Sequence, residues 1–196
     1  KGIVDTVYAA SPKDTIIVTD VGQHQIWAAT YYKYVTPGTL ITSGGFGTMG
    51  YGAGAAIGAK LGRPDMRVIH MTGDGSFRMN CGELATEEFY NLPIITVIFN
   101  NGTLGMVRQW QSLFYGGRYS QSTLDRGPDF VKLAEAYGIK GYDLYTTGQL
   151  AEALRNALEL GKPAVLNCHI GINETVTPMV APGKPITDFI LQDIDD

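Results

Sequence analysis

Hydrophobic residues along this chain fall into short blocks of two kinds that alternate from end to end. Compact aliphatic and β-branched runs predict buried strands, and apolar residues at helical spacing predict amphipathic helices. The predicted strands are residues 14–20, 39–42, 67–72, 93–99, 141–145 and 164–169. The predicted helices are residues 1–10, 24–34, 81–91, 129–137 and 147–160, together with one that opens from a Gly-rich stretch and runs to about Leu61, and a helical core within 100–120.

This alternation predicts the fold class. Strands that alternate with helices are typical of an α/β protein with an open, mostly parallel sheet and helices on both faces. No linker, composition break or repeat divides the chain, and a Pro-rich tail follows residue 169. We therefore expect one domain over residues 1–196.

Polar segments stand directly after three of the predicted strands. They are Asp20–His24, Gly73–Ser76 and Asn100–Thr103. In open α/β sheets, ligands bind outside the carboxyl ends of the strands. The sequence therefore predicts that these three segments meet at one site.

Composition excludes several classes of function. The 196 residues carry 15 Lys and Arg against 19 Asp and Glu, and this net charge of −4 argues against a broad nucleic-acid surface. No apolar run approaches the ~20 residues of a membrane span, and the first residues do not show the pattern of a positively charged start followed by an apolar signal stretch. Cys81 and Cys168 make neither a disulfide framework nor a zinc set, so we expect a reducing, cytoplasmic setting.

Two interpretations compete for the Gly-rich region. Gly45–Gly50 matches the G-x-G-x-x-G pattern of dinucleotide-binding folds, in which Asp74 would be the ribose-binding acid. The alternative interpretation is a Mg²⁺–diphosphate site. Asp74 between two glycines supplies a carboxylate at a predicted turn, Asn101 follows 27 residues later on a neighbouring strand, and Thr103 adds a carbonyl. The second interpretation explains more of the residues.

The motifs GDGSF and NN resemble the thiamin diphosphate motif. GFGTMGYGAGAAIGAK, VGQHQIW and NNGTLGMVRQWQSLFY are similar to the acetolactate synthase (acetohydroxyacid synthase) family, large catalytic subunit. The resemblance covers nearly the whole chain but only the C-terminal third of the family's large subunit. It implies that the pyrimidine-binding and central domains are absent from this chain, and the start without Met suggests an excised piece.

The resemblance implies roles for individual residues. Asp74 and Asn101 would ligate Mg²⁺ through their side chains, and Thr103 through its carbonyl. Met49 would hold the cofactor in a bent form, and Gly47 would offer its carbonyl to the aminopyrimidine. The remaining expected contacts to the cofactor are Val21, Gly22, Gln23, His24, Gly75 and Ser76. No catalytic side chain is expected in this chain, because the activating Glu lies on the missing domain of a facing subunit.

Other residues have competing interpretations. Met106 and Trp110 are one helical turn apart and form either core packing or, by resemblance, the walls of the substrate channel, with Trp110 exposed. His70 and His169 are interpreted as structural. Of the acids on the helix after GDGSF, Glu83 and Glu88 are expected on a solvated face, and Glu87 is the one that could differ.

The resemblance implies an enzyme that condenses pyruvate with a second 2-oxo acid, with loss of CO₂, in branched-chain amino acid biosynthesis. The cofactors would be thiamin diphosphate and Mg²⁺, with any FAD on the missing domains. A homo-oligomer and a regulatory subunit are the expected partners. The alternatives are another thiamin-dependent 2-oxo acid decarboxylase or oxidase, a non-catalytic cofactor-binding fragment and, last, a dinucleotide-binding domain.

Overall fold

Six parallel strands form the central sheet of the protein, whose computed structural model describes residues 1–191. The strand order is β2-β1-β3-β4-β6-β5, and every neighbouring pair is parallel. The strands are β1 Ile16–Thr19, β2 Leu40–Thr42, β3 Val68–Gly73, β4 Ile94–Asn100, β5 Lys140–Leu144 and β6 Ala164–His169. Short strands β7 Met179–Val180 and β8 Phe189–Ile190 form a separate antiparallel pair in the tail.

In the described part of the chain, eight helices connect and cover these strands. They are α1 Gly2–Ala10, α2 Gln23–Tyr31, α3 Tyr51–Gly62, α4 Asp74–Phe77, α5 Leu84–Phe89, α6 Gly105–Phe114, α7 Phe130–Ala136 and α8 Thr147–Leu160, with a 3₁₀ turn at Cys81–Glu83. Within residues 1–191, none of these helices has the length and apolar character needed to cross a membrane.

The core lies on both faces of the sheet because successive side chains of a strand point to opposite sides. On one face, Ile17, Ile69 and Leu166 pack with α1, α2 and α8. On the other face, Val18 and Val68 pack against α3, and a second group around Ile98 packs against α7. The predicted open α/β sheet with helices on both faces is confirmed.

Most predicted elements are confirmed within a few residues, and α8 and β6 have the predicted bounds. Helix α2 ends at Tyr31 and not at Tyr34, because Tyr32 turns to an extended conformation. The centre of the Tyr32 ring lies 5.3 Å from that of Tyr8, in an edge-to-face contact, and 4.9 Å from that of Tyr34. These aromatic contacts replace the last turn of the helix.

Three local predictions were incomplete. The segment Gly73–Ser76 was expected as a turn, but β3 runs directly into helix α4 at Asp74. No element was predicted in the Pro-rich tail after β6, yet residues 179–190 contain a hairpin-like pair of short strands. The predicted helix over residues 81–91 is split into a 3₁₀ turn and α5.

Candidate functional site

A cavity of about 210 Å³ lies at the carboxyl ends of β1, β3 and β4. From β1 the chain proceeds to β2 on one side, and it then returns past β1 to β3 on the other side. The loops after β1 and β3 therefore diverge and leave a crevice, which is the usual ligand position in an open α/β sheet. The three polar segments predicted to meet do meet there.

All but one of the predicted cofactor residues line this cavity. Those lining it are Val21, Gly22, Gln23, His24, Met49, Asp74, Gly75, Ser76, Asn101 and Thr103, and Met106 lines it as well. Gly47 lies outside the lining, on an exposed loop with φ +71°, near the side chain of Val21. Sequence reasoning did not single out Trp27, Phe99, Leu104, Gly105 and Ile170, which add apolar and backbone surface.

Asp74 is a buried carboxylate at the start of α4. Burial raises the pKa of Asp74 to about 6, although hydrogen bonds from the backbone amides of Asp74, Gly75 and Asn101 and the charge of Arg78 act in the opposite direction. The bond from the Asn101 amide ties the ends of β3 and β4 together. A buried carboxylate whose ionised form is disfavoured is well placed to gain from a bound cation.

Asn101 and Thr103 form a tight loop after β4. The amide of Thr103 donates to Oδ1 of Asn101 at 3.1 Å, and Gly102 between them has φ +67°. Nδ2 of Asn101 donates to Oε1 of Gln23 at 3.3 Å. Because the nitrogen of the Asn101 amide is held toward Gln23, its oxygen is on the opposite side.

His24 lies beside this oxygen-rich loop in the first turn of α2. Burial lowers the pKa of His24 to about 4, so the ring is neutral at physiological pH. Its Nε2 atom is buried without a hydrogen-bond partner in the part of the chain that the structure describes. An unpaired buried polar atom in a cavity wall is costly unless a ligand completes it.

Asp20 directly follows β1 in the predicted Asp20–His24 segment, but its contacts were not predicted and it was given no role of its own in the site. One carboxylate oxygen accepts from Thr72 Oγ1 at 2.7 Å and lies 2.9 Å from His70 Nε2, and the other accepts from the Gly52 amide at 2.9 Å. Burial raises the pKa of Asp20, but the hydrogen bond and charge of His70 and the other donors outweigh burial and hold the pKa at about 2.

Gly52 is required by close packing inside the fold, so this part of the Gly-rich stretch is explained without a bound dinucleotide. A Cβ atom at Gly52 would lie 2.3 Å from His70 Nε2 and 3.0 Å from Asp20 Cγ. Only glycine therefore fits where α3 begins against the Asp20–His70 pair. The interpretation of His70 as a buried structural residue agrees with these contacts.

The other singled-out residues have defined surroundings. His169 contacts Asp143 at 2.7 Å and stacks on Tyr145, which agrees with a structural role. Glu87 is 1% exposed, and its burial, together with the charge of Glu83, raises the pKa of Glu87 to about 8. Both cysteines are free.

Helix α6 carries the two residues assigned to a channel. Met106 packs partly against the core and also lines the cavity, whereas Trp110 is 36% exposed and contacts the edge of Phe114 at 5.3 Å. The prediction that Trp110 lies at the surface is confirmed. Its ring is not part of the core.

We expect Trp110→Leu to change the free energy of unfolding by less than about 1 kcal/mol, because surface substitutions have small effects. Urea denaturation of the variant and of the wild type measures this difference. Phe99→Leu, in the buried core, serves as the contrasting variant and should cost more. A loss of several kcal/mol in Trp110→Leu would show that its ring packs in the core.

The cavity fits a magnesium diphosphate group by the chemistry of its donors. One carboxylate, one amide oxygen and one backbone carbonyl are the hard oxygen ligands that Mg²⁺ takes alongside phosphate and water. Residues 1–191 contain no group of three or more His, Cys, Asp or Glu side chains placed so that they could hold a metal ion. His24 Nε2 is a candidate phosphate contact.

Comparison with known proteins identifies relatives. Residues 20–168 match the family described as thiamine pyrophosphate enzyme, C-terminal TPP binding domain. The chain is 49% identical over 178 residues to a probable acetolactate synthase large subunit of Methanococcus aeolicus, covering 91% of this chain and 30% of that protein. It is 51% identical over 177 residues to the acetolactate synthase large subunit of Lactococcus lactis, covering 90% and 31%.

A solved structure supports the same fold. The thiamine diphosphate-dependent 4-hydroxybenzoylformate decarboxylase of Rhodococcus jostii RHA1 superposes with a TM-score of 0.79 at 28% identity. The match covers 88% of this chain and 32% of the decarboxylase chain. The chain thus spans about a third of the length of the proteins it resembles.

Proposed function

Because the chain belongs to the thiamine pyrophosphate enzymes and carries their C-terminal TPP-binding domain, we propose that its cavity binds the diphosphate of thiamin diphosphate through Mg²⁺. The observation that carries this proposal is the meeting of Asp74, Asn101 and Thr103 at two adjacent strand ends. Asp74 and Asn101 would bind the cation through side-chain oxygens, and Thr103 through its carbonyl. With one carboxylate in the set, the bound diphosphate would neutralise the rest of the charge of Mg²⁺.

The rest of the cavity would hold the cofactor's remaining groups. The amides of Gly75 and Ser76 begin α4 and can donate to phosphate oxygens, and His24 and Gln23 approach from the end of β1. Val21 and Gly22 form the backbone wall on that side. Met49 is the bulky residue against which the cofactor would bend, and its Cε atom lies 3.8 Å from where a Cβ atom at Gly75 would stand. Gly47, at the rim of the cavity, would contact the pyrimidine of the cofactor.

We propose acetolactate synthase activity for the protein of which this domain forms part, since acetolactate synthase large subunits share about half of its residues. When bound, thiamin diphosphate supplies the electron sink that lets pyruvate lose CO₂ and add to a second 2-oxo acid. Met106 and Trp110 on α6 would line the path of the substrates.

The proposal extends to the whole protein. Residues 1–196 would be its C-terminal domain, facing the pyrimidine-binding domain of a second subunit in a homo-oligomer. A central domain would carry any FAD, and a regulatory subunit would be a further partner. The expected location is the cytoplasm.

Thermal denaturation with candidate cofactors tests the binding step. A ligand at 100 times its Kd adds about 2.7 kcal/mol of stability, which is about 5–10 °C for a chain of this size. We expect that shift with Mg²⁺–thiamin diphosphate and its loss with a chelator. A shift with NAD alone would instead support the dinucleotide interpretation.

Turnover by a protein made of these 196 residues is expected to be absent. Asp74 is the one acidic side chain among the described lining residues and would be committed to the cation, and neutral His24 is a weak base. General acid–base catalysis contributes about 10²–10⁴-fold, and an open cavity also admits water. We expect no acetolactate from pyruvate above a no-protein control, even with saturating cofactor.

Acetolactate formed by this protein alone would contradict the prediction. Activity that appears only when a separately produced pyrimidine-binding domain is added would support it. Carbon dioxide release without acetolactate, under the same addition, would favour a 2-oxo acid decarboxylase.

A further inference from the structure

A buried glutamine on α6 connects the tail of the chain to the metal-binding loop. Gln109 is almost fully buried, whereas the other polar residues of α6 are only partly buried. Its Nε2 donates to the carbonyl of Val176 at 2.9 Å, and its Oε1 accepts from the Val176 amide at 2.9 Å. Because a peptide group has a fixed donor and a fixed acceptor, this pair of bonds sets which end of the Gln109 amide is oxygen.

The orientation of Gln109 sets that of Gln23. Oε1 of Gln109 accepts a second bond, at 3.0 Å, from Nε2 of Gln23. The same Nε2 donates to the carbonyl of Glu174 at 2.7 Å. Two acceptors therefore hold the nitrogen of Gln23 away from the cavity, and its oxygen must point the other way.

Gln23 in turn sets the orientation of Asn101. The oxygen of Gln23 accepts from Nδ2 of Asn101, so the nitrogen of Asn101 is fixed and its oxygen lies on the side of the Thr103 amide. Gly105 keeps these groups close, since a Cβ there would lie 2.0 Å from Gln23 Oε1 and 2.8 Å from Asn101 Nδ2. Three amides thus form a directional chain from the Val176 peptide to the metal loop.

We propose that Gln109 is a positioning residue that, through Gln23, makes Asn101 present its oxygen and not its nitrogen to the bound cation. The inference rests on the proposed Mg²⁺–diphosphate site. Without Gln109, the Gln23 amide is held by the Glu174 carbonyl alone and rotates more easily. Asn101 is then oriented only by the Thr103 amide, so the flipped form, whose NH₂ group cannot ligate Mg²⁺, becomes more populated.

The test is the Mg²⁺ concentration that gives half-maximal binding of thiamin diphosphate, followed by calorimetry or protein fluorescence. Mutation of residues that hydrogen-bond to metal ligands and orient them typically lowers metal affinity 10–100-fold. We expect Gln109→Leu to raise the required Mg²⁺ concentration by at least tenfold. Arg108→Met is the matched control, because Arg108 bonds to Asn173 of the same tail without contacting Gln23. We expect its Mg²⁺ requirement to stay within about twofold of wild type.

A change at Asn101 distinguishes positioning from general support of the fold. Asp has two equivalent oxygens, so in an Asn101→Asp background the orientation set by Gln109 no longer matters. An Asp at this position also cannot donate to Gln23 Oε1, and a released Gln23 could turn its NH₂ group toward it. Gln109→Leu should therefore not raise the Mg²⁺ requirement in this background. An equal loss in the wild-type and Asn101→Asp backgrounds, or an equal loss in Arg108→Met, would overturn the proposal.

Stability is checked by circular dichroism. If Gln109→Leu does not fold, Gln109→Glu replaces it, since a carboxylate still accepts from Gln23 Nε2 while losing the donor to Val176. We expect Gln109→Glu to be less stable but to keep its Mg²⁺ requirement, and a tenfold rise there would contradict the proposal. Failure of the wild type to bind Mg²⁺–thiamin diphosphate would refute the proposed function itself. If the wild type binds it and Gln109→Leu has the same Mg²⁺ requirement as the wild type, only this inference is refuted.

Discussion

Asp74→Asn should abolish Mg²⁺-dependent binding of thiamin diphosphate while leaving the protein folded. Asp74 is the one charged side chain in the proposed ligand set, and an amide is a far weaker ligand for a hard cation than a carboxylate. We expect an affinity at least 100-fold lower in a calorimetric titration with Mg²⁺ present. Unchanged affinity would place the metal site elsewhere in the protein.

The same substitution should not destabilise the cofactor-free protein at neutral pH. Burial raises the folded-state pKa of Asp74 to about 6, so its ionised form disfavours folding above that pH. The difference from the ordinary value of 3.8 corresponds to about 3 kcal/mol, which is lost as pH rises from about 4 through 6. Asn removes this penalty but also accepts fewer of the surrounding amide bonds.

The sign of this effect can be measured by urea denaturation at several pH values. Relative to the wild type, Asp74→Asn should be most favourable near pH 7 and should lose that advantage toward pH 4, where Asp74 is protonated in the folded state and about half protonated in the unfolded state. Ser76→Ala is the control, because Ser76 lies on the same short helix and carries no charge. An advantage that grows toward pH 4 would contradict the pKa assignment.

The meeting of Asp74 and Asn101 could be predicted from the sequence. Each follows a continuous apolar run, buried parallel strands produce such runs, and all parallel strands end at one edge of the sheet. Once β3 and β4 are known to be neighbouring strands, their ends, and with them Asp74 and Asn101, must lie close together. For this reason the sequence pattern alone could place the Asn101–Thr103 loop beside Asp74.

The contacts of Asp20 and Gln109 could not be predicted in this way. Their partners lie far along the chain, with 50 residues between Asp20 and His70 and 67 between Gln109 and Val176. Single polar residues in buried positions leave no period, and their function depends on which group faces them. The tail strands β7 and β8 were missed because two-residue strands are too short to show alternation.

The Gly-rich stretch shows how a correct pattern can have a different cause. Gly45–Gly50 matches a dinucleotide motif, yet it forms a loop after edge strand β2 in which Phe46 is 97% exposed. The steric demand lies further along, at Gly52, where α3 meets His70 and Asp20. The sequence pattern located the glycines but not the contacts that require them.

Asp20→Asn should lower the free energy of unfolding by about 3–5 kcal/mol, the usual cost of removing one partner of a buried pair that includes an ionised group. The two oxygens of Asp20 face the amide of Gly52, the hydroxyl of Thr72 and Nε2 of His70. The Gly52 amide is a fixed donor, so the oxygen of Asn must face it, and the NH₂ group then faces Thr72 and His70. Both of these partners must change from donor to acceptor, and the hydrogen bonds to a charged carboxylate are lost. For a chain of this length we expect a fall in Tm of about 10 °C.

The control and the pH range follow from the same contacts. Thr72→Val removes one hydrogen bond and should cost only about 1 kcal/mol. The folded-state pKa of Asp20, about 2, is depressed, so its carboxylate stabilises the protein above pH 4, and that contribution of about 2 kcal/mol is lost as pH falls toward 2. Comparison at pH 7.5 keeps His24 neutral in both states. Because Asp20 directly precedes the Val21–His24 segment, the variant should also bind Mg²⁺–thiamin diphosphate more weakly. A Tm within about 2 °C of wild type would show that the Asp20–His70 pair does not hold this segment in place.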